Sequence, residues 1–113
     1  MTPTQRTLRW CRSDGWHVDV VERTLPHSFI KKDLFGCIDV LAIHQHAIVG
    51  IQCTSASNVA ARIKKITETC AGPISAWLLH AELQVWGWRE YPTRVDRKKW
   101  RPRIETITVD MLR

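Results

Sequence analysis

Two runs rich in Val, Ile and Leu, Cys37 to Ile43 and Ala47 to Cys53, flank the polar triplet His44-Gln45-His46. Apolar, β-branched runs of this length around a short polar link form a β-hairpin, and the rest of the chain must pack around it. A two-residue Gln45-His46 loop pairs His44 with Ala47, Ile43 with Ile48, Leu41 with Gly50 and Asp39 with Gln52. A loop one residue longer throws the last pair onto opposite faces. With the shorter loop, Asp39, Gln52 and Thr54 share a face, because alternate strand residues point the same way. An ionised Asp in an apolar strand costs several kcal/mol unless a cation or hydrogen-bond donors compensate. Asp39 therefore reads in two ways: as a strand-end carboxylate bonded to backbone N–H groups or an Arg, or as one member of a site. The facing Gln52 favours the site.

A chain of 113 residues has room for one domain with a modest core. Its 17 Lys and Arg outweigh 11 Asp and Glu, for a net charge of +6. Such a balance suits a polyanion, nucleic acid before an anionic membrane surface. No stretch reaches the roughly 18 apolar residues of a spanning helix, and the N-terminus lacks a signal-peptide core, so a cytoplasmic location is expected. Cys11, Cys37, Cys53 and Cys70 form no C-x-x-C pair and read as free buried thiols. His44 and His46 make an H-x-H pattern with no third metal ligand beside it.

Thr2-Pro3-Thr4-Gln5 carries the marks of a helix start: a capping Thr, Pro at the first position and Gln completing a capping box. The helix is short and basic, with Arg6, Arg9 and Arg12, an apolar face of Leu8 and Cys11, and Gly15 at its end. Trp16 to Glu22 alternates as a strand and leaves Glu22 at its end. Lys31, Lys32 and Asp33 lead into the hairpin. Beyond it, Ser55 or Ser57 caps a helix from Asn58 to about Cys70, with Val59, Ile63, Ile66 and Cys70 as the buried stripe and Gly72-Pro73 as its stop. Arg62, Lys64 and Lys65 project from that helix.

Ile74 to His80 and Leu83 to Trp88 read as two further strands, reached by a crossover that permits parallel pairing. From Arg89 the chain turns basic and irregular, with Arg94, Arg97, Lys98, Lys99, Arg101 and Arg103, before a last edge strand over Ile104 to Met111. The core spans residues 2–88 and the basic extension 89–113. Trp86, Trp88 and Trp100 serve either as packing residues or as platforms on which bases stack.

The order helix, three strands, helix, strand, with Asp39 on the second strand and Gln52-x-Thr54 on the third, resembles the PD-(D/E)XK nuclease superfamily. It is most similar to the small Holliday junction resolvases and short phage-type endonuclease domains. The resemblance covers Thr2 to Trp88 and implies an α/β fold with a restriction-endonuclease-like αβββαβ core, a mixed central sheet flanked by helices. Asp39 matches the family's metal-binding Asp, Gln52 its Glu and Thr54 its Lys. Gln52 keeps an oxygen ligand without the charge, and Thr54 supplies no ammonium. Lys64, Lys65, Lys31 or Lys32 is available for that role. The first-helix Glu of many relatives is missing, and Asp33 and Glu22 are the acids placed to replace it.

The resemblance implies a Mg²⁺- or Mn²⁺-dependent DNA endonuclease acting on branched or duplex DNA as a homodimer, with Asp39, Gln52 and Asp33 as metal ligands. Lys31, Lys32, Arg62, Lys65, Arg89, Lys98, Lys99 and Arg101 then hold the phosphate backbone, a contact that positions without reading sequence. Two other readings stay open: a nucleic-acid-binding domain that kept the fold and lost catalysis, and a protein-interaction module with an incidental basic surface.

Overall fold

In a computed structural model, residues 1–92 and 99–112 are described. The chain is α/β, with a five-stranded mixed sheet between helices. Helix α1 (Pro3–Ser13) begins as expected: Thr2 Oγ1 accepts from the Gln5 amide at 3.2 Å and Gln5 Oε1 accepts from the Thr2 amide at 2.9 Å. The turn through Gly15, at φ +82°, feeds β1 (His17–Val20). A small two-stranded arm follows, β2 (Arg23–Thr24) with β3 (Lys31–Lys32), before the hairpin β4 (Val40–His44) and β5 (Ala47–Ser55).

The hairpin takes the two-residue register. His44 faces Ala47, Ile43 faces Ile48 and Leu41 faces Gly50. Gln45 adopts φ +49° to close the loop, the left-handed conformation that such tight hairpin turns demand. The first arm of the hairpin is shorter than its apolar run. Residues Leu34 to Ile38 fold into a tight turn closed by a Leu34–Ile38 bridge, with Phe35 and Gly36 at positive φ, and regular pairing starts at Val40.

After a single 3₁₀ turn, α2 (Val59–Thr69) and α3 (Ala71–Trp77) cross over one face and deliver β6 (Glu82–Glu90) parallel to β5. Three expectations are corrected here. Neither Ser55 nor Ser57 caps α2; their hydroxyls lie 3.2 Å apart and bond each other. Gly72-Pro73 does not end the helical region but opens α3, where a first-turn Pro loses no hydrogen bond. Ile74 onward is consequently helical rather than a strand, burying Ile74 with Trp77 and Leu78 packed behind it at helical spacing. A short apolar run has no periodicity that separates the two states.

The last strand, β7 (Trp100–Thr106), starts earlier than its alternation suggests and pairs antiparallel with β6. Its Pro102 is tolerated because β7 is an edge. Ile107 then turns inward, its amide donating to the Leu83 carbonyl at 2.8 Å, and Val109–Leu112 form a 3₁₀ turn instead of continuing the strand to Met111.

The sheet, ordered β1-β4-β5-β6-β7, has two unlike faces. Under α1, Cys11 of the helix packs with Val40, Ala42, Val49, Ile51, Cys53, Trp86 and Trp88 of the sheet. Under α2 and α3 the core is aliphatic, with Ile38, Val59, Ile66, Ile74, Leu83 and Val85. Gly87 lets α2 start close against β6: a Cβ there would stand 2.2 Å from Val59 Cγ2 and 2.9 Å from the Ala56 backbone. All four cysteines are free and buried. Among the described residues, no helix is long and apolar enough to cross a membrane.

Candidate functional site

The pairing of β4 with β5 ends at Val40–Ile51, while β5 runs on to Ser55 beside β6 alone. Past that point β5 exposes backbone groups that a neighbouring strand would otherwise satisfy. Asp39 does so with its side chain. Its amide continues the ladder, donating to Ile51 O at 2.9 Å, and its carbonyl accepts from the Val21 amide at 2.9 Å. Its Oδ2 accepts from the Cys53 amide and from Gln52 Nε2, each at 2.9 Å. Asp39 and Gln52 thus meet as the register requires, both almost fully buried.

Both bonds fall on one oxygen of Asp39, and two further carboxylates converge there. Glu22 leaves the end of β1 and Asp33 follows β3, so the β2–β3 arm is bounded at its base by two acids. One carboxylate oxygen from each of Glu22, Asp33 and Asp39 lies within 4.8 Å of the others. The cleft they line holds about 460 Å³ and is completed by the start of α1, Lys31 and Arg62. Lys31 Nζ stands 4.0 Å from Glu22 Oε1.

The electrostatics follow from that crowding. Burial and the adjoining Asp33 carboxyl push Asp39 up to about 7, against the pull of the Cys53 and Gln52 donors. Near neutrality Asp39 is therefore only partly ionised, and a cation is able to displace the proton it holds. Gln52 carries the second mark of a site. It is 2 % exposed, its Nε2 is spent on Asp39, and its Oε1 is buried without a hydrogen-bond donor. A buried carbonyl left this way costs about 1–3 kcal/mol. The three carboxylates offer only oxygen donors, which fits a hard divalent cation rather than zinc or a soft metal, and Gln52 lines the same cleft.

The other expected residues scatter. Thr54 is buried opposite Gly87 and does not line the cleft. Lys64 is exposed, and Lys65 lies near Cys37, whose thiol its charge pulls downward against burial. Neither lines the cleft; the cations there are Lys31 and Arg62. Lys32 points to a separate hollow beside Arg23. Arg89 and Arg101 face each other across β6 and β7, with Lys99 just before β7. Lys98, like Arg94 and Arg97, lies outside the described residues. His44 stacks on Trp16 at 4.4 Å, so that half of the H-x-H pattern serves packing.

Sequence reasoning missed one grouping, the far side of α1. There Arg6, Arg9 and Trp10 meet Trp88, Lys99 and Trp100. The available signal was spacing: Arg6, Arg9 and Trp10 stand three and four residues apart, on one helix face. No protein-family model matches the chain, and neither does any curated protein or solved structure.

Proposed function

We propose that the protein is a metal-dependent DNA endonuclease of the PD-(D/E)XK type. The observation that carries this reading is the convergence of Glu22, Asp33 and Asp39 in one cleft, lined also by Gln52, whose buried Oε1 has no hydrogen-bond partner. Mg²⁺ or Mn²⁺, when bound, supplies the charge that polarises a phosphodiester and acidifies water. Asp39, Asp33 and Glu22 hold the cation, and Gln52 contributes a neutral oxygen. The Cys53 amide keeps the Asp39 carboxylate fixed on the strand end. Lys31 and Arg62 take the place of the strand Lys that Thr54 does not provide, one as a point charge and one as a planar fork that grips phosphate. Such contacts favour DNA shape over sequence, and pairing of two copies would present a second cleft to the opposite strand of a branched substrate. The four buried free thiols suit a reducing cytoplasm.

A second reading, a DNA-binding domain without catalysis, draws on Thr54, whose buried hydroxyl leaves the strand without its lysine. Nicking of junction, flap and plain duplex DNA with Mg²⁺, Mn²⁺ or EDTA separates the two. Cleavage that needs both the metal and Asp39 is expected. Binding without cleavage under either metal selects the second reading.

A further inference from the structure

We infer that the hollow on the far side of α1 is a binding site for an unpaired nucleotide of a nucleic-acid strand, separate from the acidic cleft. The hollow holds about 380 Å³, within the range of small-ligand sites. Its walls combine aromatic faces with cations, and among the described residues no carboxylate lines it. Trp88 is fixed in place by its own Nε1, which donates to Thr7 Oγ1 at 2.9 Å, and it meets Trp10 edge to face at 5.7 Å. Trp100 is half-buried, and the Arg6 guanidinium lies 3.7 Å from its ring centroid. Arg9 and Lys99 are exposed at the rim.

A guanidinium lying on an aromatic ring offers its own outer plane to a base, as the ring beneath holds it in place, and its charge to the adjoining phosphate. A base inside a duplex cannot reach such a concave floor, because both of its faces are already stacked. The expected ligand is therefore single-stranded or splayed from a junction.

Its position reinforces this assignment. Trp88 and Trp100 also wall a second hollow of about 630 Å³ that contains Arg89, Tyr91 and Arg103. In the other direction, Arg9 lines a shallow hollow with Gln5 and Leu8, and those two residues line the acidic cleft. A line of hollows thus crosses α1 from Asp39 to Trp100. A helix with its side chains is about 10–12 Å across, so a strand held at Trp100 reaches the cleft within a few nucleotides.

The test is anisotropy of a fluorescein-labelled oligothymidylate in EDTA, beside an abasic strand of equal length and a blunt duplex. The oligothymidylate should bind more tightly than either. Trp100→Ala should weaken it about tenfold, in the range of one lost stacking contact. Arg9→Gln, at an exposed helix position, should weaken it several-fold, lower the salt slope by about one and leave the melting temperature unchanged. Asp39→Asn should leave binding as tight or tighter, which keeps this site distinct from the nuclease reading. Equal affinity for the abasic strand, or for duplex, would overturn the proposal. So would Arg9→Gln binding like wild type, or association with phosphatidylglycerol vesicles that the oligothymidylate does not compete.

Discussion

Helix α1 separates two hollows of opposite character. On one side Glu22, Asp33 and Asp39 crowd together around a buried amide, with Lys31 and Arg62 at the margin. On the other, Arg6, Arg9 and Lys99 surround three tryptophans, with no acid among the described residues there. The difference lies in how each charge is kept in place. The acids are set by backbone: Asp39 sits where β4 departs from β5, and its carboxylate satisfies an amide that the sheet leaves open. Arg6 is set by aromatic surface, its guanidinium resting on the Trp100 ring at low desolvation cost, while Arg9 and Lys99 stand exposed at the rim. A rigid, costly arrangement is suited to a cation and chemistry, and an adaptable one to a strand.

The largest expected effect comes from removing the charge that anchors the acidic side. Asp39→Asn should abolish metal-dependent nicking while far-UV circular dichroism remains that of wild type. The wild type should melt at a higher temperature in Mn²⁺ than in EDTA and this variant should not, since a ligand stabilises only the state that binds it. Retention of nicking by this variant would remove the acidic cleft from the mechanism.

The next effect is on stability without metal. The Asp39 pKa is raised from the ordinary 3.8 to about 7. Between those values the folded state holds a proton that the unfolded state has lost, so stability falls as pH rises through this window. The loss is at most about 4 kcal/mol, complete above the folded pKa and absent below the unfolded one. Urea titrations in EDTA from acid to mildly alkaline pH should show that decline in the wild type and a nearly flat profile in Asp39→Asn. A flat wild-type profile would mean that the three acids do not interact as their spacing implies.

Gln52→Glu sharpens the comparison by adding a fourth acid to the same side. At alkaline pH in EDTA it should destabilise the fold by on the order of 2 kcal/mol. In Mn²⁺ it should bind the ion more tightly than wild type, by calorimetry. Destabilisation with no gain in metal affinity would show that Oε1 faces packing instead of a ligand.

The smallest effect belongs to Lys31, which is largely exposed beside Glu22. Lys31→Met should change stability by less than about 1 kcal/mol and should appear as a raised KM for DNA.

The hairpin was legible because its alternation and loop length leave one register that keeps the apolar residues together. That register alone brings Asp39 and Gln52 into contact. The α1 cap was equally plain, since Thr2, Pro3 and Gln5 each carry a local meaning. Ile74 to His80 was not, because a short apolar run fits a buried strand as well as a helix, and the neighbours decide. Residues 100–103 looked irregular for a related reason: an edge strand tolerates Pro102 and a basic side that a central strand would not.

What the sequence determined by itself was a hairpin, its facing Asp and Gln, and a basic surface, all products of patterns a few residues long. Tertiary structure alone decided that Glu22 and Asp33, separated by the β2–β3 arm, close on Asp39, and that Arg62 and Lys31 reach the cleft while Lys64 and Lys65 do not. It also decided that Trp88 and Trp100, far along the chain, meet Arg6 and Trp10. The physical reason is range. Strand alternation and caps are written in neighbouring residues, whereas a site made of distant side chains exists only after the sheet has fixed where each strand ends.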